Sequence, residues 1–168
     1  MRNFSRVILL SVCLFAGGLS AQTLKFGHID FQQLLQLMPE REVAQKAMTK
    51  VQGEMEAQLA TMQKELQEKG KDYLAQQKTL TEAIRTTKED ELQSIQQRIQ
   101  TFQQQAQENF QKEESKQFQP IIEKARKAIA EVGKEQGLMY VFEVNGVLYH
   151  SEQSMELLPL VKTKLGIK

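Results

Sequence analysis

Two stripes of apolar residues run through the middle of the chain at helical spacing. One leads from Ala44 through Met48, Val51, Met55, Leu59 and Met62 to Tyr73, Leu80 and Ile84. The other leads from Leu92 through Ile95, Ile99, Phe102 and Phe110 to Ile129 and Val132. Each covers 40 residues in 11 steps, a mean spacing of 3.64. That is the period of an α-helix and exceeds the 3.5 of a left-handed supercoil, so two long helices that pack nearly straight are predicted. Lys69, Gln76 and Glu114 fall on the stripes, which predicts an imperfect, partly wet seam.

Between Glu40 and Val132 the breakers are Gly53, Gly70 and Pro120. A single rod from Glu40 to Glu135 would be roughly 144 Å long and would separate the two ends of the chain. Thr86-x-x-Glu89 and Thr87-x-x-Asp90 each resemble a helix start, with a hydroxyl cap and an acid three residues on. The ends themselves favour a fold-back near Leu80–Lys88, because both read as strands and a lone two-stranded ribbon is marginal. Pro120 lacks an N–H and crowds the carbonyl of Lys116, so it predicts a bend near the base of the second helix.

At the N-terminal side, Leu24–Ile29 reads as a strand leading into Asp30, whose carboxylate can cap a short helix with Gln33 at the third position. Met38-Pro39-Glu40 restarts the chain with proline at a first helical position. At the far end Gly137 stops the long helix. Leu138–Val144, Asn145-Gly146 and Val147–His150 then form the pattern of a β-hairpin. The fold class expected is mainly α with a small β body. The body is 22–39 together with 136–168, and a helical hairpin arm spans 40–135.

Residues 1–21 stand apart. Arg2 and Arg6 precede an apolar run of about ten residues, too short to span a bilayer, and Gly17–Ala21 supplies small residues before Gln22. This is the pattern of a secretory signal with cleavage between Ala21 and Gln22, cleavage after Ser20 being the alternative. A soluble protein of the periplasm is expected, in contact with membrane at most peripherally. The remaining 147 residues carry 20 Lys+Arg against 21 Asp+Glu and no cysteine, since Cys13 leaves with the signal. Thiol catalysis and thiolate metal sites are thereby excluded for the exported chain.

Composition agrees with long helices: the full chain holds 24 Gln, 9 Gly and 3 Pro. The formal net charge of +1 argues against a nucleic-acid binder. No phosphate-binding glycine loop, GxGxxG or GxSxG pattern occurs. His28 and His150 lie on predicted strands without metal-ligand spacing, and the ordinary reading of each is a strand residue with a polar tip. No enzyme, cofactor or metal is expected. The arm residues Met55, Met62, Tyr73, Leu80, Ile84 and Phe102 are candidates either for the seam or for an adaptable apolar surface. Half-buried helices and open sheet edges both require partner chains.

Strand, Asp30, short helix, Met38-Pro39-Glu40, helical hairpin, Phe118-Gln119-Pro120-Ile121-Ile122, Tyr140-Val141-Phe142 and Leu160-Val161-Lys162 follow one another in an order that resembles the Skp/OmpH family of periplasmic chaperones. The resemblance spans essentially the whole chain after the signal. It implies a homotrimer whose sheet segments complete a β-barrel body, with three arms around a cavity. It implies binding of unfolded outer-membrane β-barrel proteins without ATP. Leu24, Phe26, Ile29, Tyr140, Phe142, Val144, Val147 and Tyr149 are then the expected assembly residues, and the six arm residues above the expected client contacts. One departure stands out. Family members are known for cationic arm tips, whereas residues 61–98 here hold seven Lys/Arg and seven Asp/Glu, so a lipopolysaccharide site is not carried over. A non-catalytic coiled-coil spacer of the cell envelope is the alternative function.

Overall fold

The computed structural model describes residues 24–167; the expected signal and its cleavage point at Ala21 and Gln22 lie outside them. Strand β1 (Phe26–Ile29) is followed by helix α1 (Phe31–Leu37), then by the long helices α2 (Pro39–Gln76) and α3 (Glu82–Glu135). Strand β2 (Tyr140–Glu143), a 3₁₀ turn (Val144–Gly146), strand β3 (Met155–Glu156) and helix α4 (Leu158–Leu165) complete the chain. No helix among the described residues is long and apolar enough to cross a membrane.

Local chemistry accounts for most of the boundaries. The Asp30 carboxylate accepts a 2.8 Å hydrogen bond from the Gln33 N–H and caps α1. Pro39 opens α2, where a missing N–H costs nothing. Gly137, at φ +64°, ends α3 with its N–H on the Lys134 carbonyl, and the Leu138 N–H returns to Gly133.

The chain folds back, but earlier than the threonine motifs predict. The turn occupies 77–81 and α3 begins at Glu82 after Thr81 in extended conformation. Thr86 and Thr87 are inside the helix. The Thr87 hydroxyl donates to the Ala83 carbonyl at 3.0 Å, a mid-helix bond that removes it from any capping role. Helix α3 has 54 residues against 38 in α2. The excess carries α3 past the hairpin and into the body. Pro120 lies in this stretch, on the exposed side, without ending the helix.

The sheet corrects the expected hairpin. Strand β1 is central, with β2 on one side and β3 on the other, and both pairings are parallel. Phe26 pairs with Tyr140 and His28 with Phe142; Gly27 pairs with Met155. Asn145-Gly146 does not make the tight strand-reversing turn, which needs positive φ at both residues. Neither has it; the Val147 N–H bonds back to Val144 and the Asn145 amide donates to Glu143. The segment Val147–His150 is therefore not a strand, and the third strand comes from Met155–Glu156.

One face of this sheet closes the core. Leu34, Leu157 and Val161 are fully buried, packed with Ile29, Met38, Ile121, Ala125 and Val132. The core thus joins the N-terminal strand and helix, the base of α3, and the C-terminal helix. Gly27 makes room for its neighbours: a Cβ there would lie 2.4 Å from Leu157 Cδ1 and 2.7 Å from Leu138 Cδ1, so both side chains would have to shift. The small residue lets both leucines reach the strand.

Candidate assembly and client surfaces

The other face of the sheet is apolar and only partly covered. Side chains alternate along a strand, so Phe26 and His28 of β1 point away from the core to which Gly27 and Ile29 point. Tyr140 and Phe142 of β2 share the outer face. The Phe26 ring lies 6.3 Å from Tyr140 and 6.3 Å from Phe142, and Tyr140 lies 6.0 Å from Phe142, distances typical of interacting aromatic pairs. Phe142 remains 46% and Tyr140 58% exposed. Leu24 and Tyr149 are exposed beside them, and a cleft of about 460 Å³ opens where Val144 and Val147 line its far wall.

The expected assembly residues therefore divide. Leu24, Phe26, Phe142 and Tyr149 are exposed and Val144 and Val147 half-buried around one cleft, and Tyr140 is exposed on the same sheet face outside it. Ile29 is 3% exposed and belongs to the protomer's own core. The parity of the strand decides this, because positions 26 and 29 face opposite ways. Sequence reasoning missed Leu148, exposed next to Tyr149, and Met139, exposed at a second pocket with Ile29 and Val141. Their signal was available as apolar residues within the two strand-like runs.

Along the arm, apolar burial is thin. Met48, Tyr73, Ile95 and Ile99 are buried between α2 and α3, while Met55, Met62, Leu80 and Phe102 are half-buried. Ile84 is 47% exposed near the turn. Met55 borders an open groove with Ala106 and Phe110; Phe102 borders another with Arg98 and Thr101. Of the six candidate client residues, Tyr73 is thus withdrawn into the hairpin, and the other five present at least part of their surface.

Polar pairs complete the seam. Lys69 bonds to Glu91, Arg98 to Glu65, and Lys124 to Glu40, each across the two helices. The Tyr73 hydroxyl donates to Glu89 and receives the Gln77 amide. The bond from Lys69 holds the Glu91 carboxyl below its ordinary range, and Glu91 in turn raises the Lys69 ammonium. Hydrogen bonding to Glu89 raises the Tyr73 phenol. These pairs were not foreseen: Lys69 was visible as a blemish on the stripe, but its partner, 22 residues away, depends on the register of the hairpin.

The two histidines do meet, though His150 is on an irregular segment rather than a strand. Among the described residues no group of three or more His, Cys, Asp or Glu is placed to hold a metal ion.

Residues 25–165 match the family described as outer membrane protein (OmpH-like). The chain belongs to the OmpH-like family. A solved structure described as a candidate outer membrane chaperone (OmpH-like) from Caulobacter crescentus is similar in fold, with a TM-score of 0.72. It is 14% identical in sequence, and the match covers 89% of this chain and 88% of that one. No curated protein matches in sequence. Such low identity with a shared fold fits the way this OmpH-like chain is built. Its arms need periodicity and its core needs size, and neither demands particular residues at most positions.

Proposed function

We propose that this OmpH-like chain is an ATP-independent holdase of the periplasm that assembles as a homotrimer and keeps unfolded outer-membrane β-barrel proteins from aggregating. The observation that carries the reading is the pairing of two unsatisfied surfaces: a half-exposed aromatic sheet face on the body, and a long arm with half-buried methionine and phenylalanine along open grooves. Family membership supports a chaperone role. The sheet face supports assembly, since three copies can bury Phe26, Tyr140 and Phe142 against one another about a closed axis. Burying one such side chain fully contributes about 1.5–3 kcal/mol, repeated by symmetry.

Capture is passive in this reading. Met and Phe adapt to irregular apolar segments, each contact is weak, and three arms acting together raise the effective affinity. Removal of Met1–Ala21 on export, with Gln22 as the new first residue, belongs to the same proposal; intact-mass analysis of envelope material tests it.

The deciding experiment dilutes a urea-denatured outer-membrane β-barrel into buffer with the mature chain and no nucleotide, and follows turbidity. Suppression of aggregation is expected. Turbidity that rises equally with and without an excess of the chain would refute the holdase reading and leave the spacer reading.

A further inference from the structure

One groove of the arm, about 550 Å³, is built from both long helices. Met55 of α2 and Ala106 and Phe110 of α3 are half-buried in it, and the exposed Gln107 and Gln111 amides stand along its rim. Glu56 and Glu114 stand there too, and no Lys or Arg lines it. Neither carboxylate has an ion-pair partner among the described residues. Lys50 pairs with Glu54 and Lys116 with Glu113, while Lys112 borders a separate groove with Glu108. The Gln52 amide donates to Glu56 at 2.8 Å and occupies one of its two oxygens.

The register of α3 fixes the side on which this groove opens. The helix is unbroken from Glu82 to Glu135. Gln107, Phe110 and Glu114 stand 18 residues before Ala125, Ala128 and Val132, which is five turns at about 3.6 residues per turn. Those three are buried in the core of the body, so the groove lies on the flank of α3 that carries the sheet. The Phe102 groove lies on the other flank. Arg98, Thr101 and Gln105 line it and stand the same 18 residues before Lys116, Gln119 and Glu123, all exposed. Phe102 itself is half-buried on the seam stripe, so its loss reaches the hairpin under both grooves. In an assembly closed over the outer sheet face, the Met55–Phe110 groove looks into the space between the arms.

We propose that this groove is a client subsite that selects extended segments carrying an apolar side chain beside a Lys or Arg. The apolar side chain meets Met55, Ala106 and Phe110, and the flexible thioether adapts to aliphatic and aromatic shapes alike. Gln107 and Gln111 offer donors and acceptors to the segment's backbone. The neighbouring cation finds Glu56 or Glu114, whereas a carboxylate in the same place meets like charge. Such pairs are exposed, so each favours the cation only about two- to fivefold, and three arms multiply the effect. The occupant rests on the holdase reading; the side of the groove and its acidic rim do not.

Two short peptides, titrated against the full mature chain in low salt, test the proposal. Both alternate Ser with apolar residues around a central Phe; one has Lys on either side of that Phe and the other has Glu. The Lys peptide should bind at least about threefold more tightly by fluorescence anisotropy. Glu56→Gln with Glu114→Gln should remove the difference and leave helicity and assembly unchanged. Gln105 and Gln107 point about 200° apart around the helix axis. A benzophenone side chain in place of Gln107 should therefore crosslink the Lys peptide several-fold more than one in place of Gln105. Equal or undetectable affinity for both peptides, a preference that survives in the double variant, or stronger crosslinking from position 105 would overturn the subsite. Aggregation of a denatured β-barrel, followed alongside, separates the two proposals: if it is suppressed while any of these results is found, the subsite is wrong and the holdase reading stands.

Discussion

The body and the arm hold together by different means. In the body, side chains from β1, α1, α2, the base of α3 and α4 converge on one dry cluster, with Leu34, Leu157 and Val161 at 0% exposure. In the arm, two helices meet along a line, and apolar contacts alternate with Lys69–Glu91, Arg98–Glu65 and the Tyr73–Glu89 bond. A cluster concentrates stability at a few positions, because each buried residue touches many others. A line distributes it, because each residue of a two-helix seam has few neighbours and solvent on both sides. The arm can therefore leave apolar atoms along its seam exposed without endangering the fold, and the cluster of the body cannot.

The largest effect should come from cutting into the cluster. Leu34→Ala removes a fully buried side chain and should cost about 2–5 kcal/mol, whereas Met55→Ala, at a half-buried seam position, should cost well under half of that. Urea denaturation of the two variants, read by far-UV circular dichroism, makes the comparison. Equal losses would mean that arm and body are one cooperative core after all.

Phe142→Asp probes the body's other face. The position is 46% exposed in the protomer, so the protomer should keep its helicity. In an assembly that buries the ring, the carboxylate would be unpaired and costly. Light scattering should report trimer for the wild type and monomer for the variant. A monomeric wild type would remove the assembly proposal altogether.

The same contrast explains what the sequence discloses. Arm structure is written in local periodicity: the 3.64 spacing, Pro39 and Gly137 all act within a few residues of themselves. Sheet topology is not local. Phe26 pairs with Tyr140, 114 residues away, and nothing near Asn145-Gly146 says that β2 takes its partner from β1 and not from the residues that follow the turn. The local turn signal is overridden by a distant strand. The surface residues were partly legible for the same reason. Alternation puts Phe26, Tyr140 and Phe142 on one side, and applied consistently it also puts Ile29 on the other. Which arm residues remain accessible depends on helix register, which stripes alone leave open.

A smaller effect separates the arm's apolar and charged contributions to capture. Met55→Ser, Met62→Ser, Leu80→Ser, Ile84→Ser and Phe102→Ser each remove a partly accessible apolar side chain, and each should weaken client capture a few-fold while the assembly persists. Tyr73→Ser, at a buried position, should act on the hairpin's stability instead. Raising salt from about 50 to about 500 mM should weaken capture only modestly, because screening removes chiefly long-range charge effects. Capture that survives all five changes yet collapses with salt would assign binding to patterned charge.

The smallest effect concerns the charged pairs of the arm seam, and its sign follows from their titration. Glu91 is lowered from an ordinary value of 4.5 by its bond from Lys69, and Lys69 is raised from 10.5 by Glu91. The lowered carboxyl stabilises the folded hairpin above its ordinary range and loses that contribution as pH falls through the folded value. The raised ammonium stabilises below its ordinary range and loses its contribution as pH rises through the folded value. The pair therefore acts across the interval between 4.5 and 10.5, and outside it the distal arm should loosen; Glu40, lowered by Lys124 where the two helices enter the body, should add a response at that end, while the dry cluster, which holds no buried polar or charged side chain among the described residues, should not respond. Both partners are well exposed to solvent, so salt should weaken the effect further. Hydrogen exchange resolved by segment, compared at about pH 4 and about pH 7 in low salt, should show faster opening near Lys69 and Glu91 at the lower pH, and Glu91→Gln should abolish the difference. If instead the amides of the buried cluster, around Leu34 and Val161, respond and those near Lys69 and Glu91 do not, the division of the molecule into a dry cluster and a charge-assisted line is wrong.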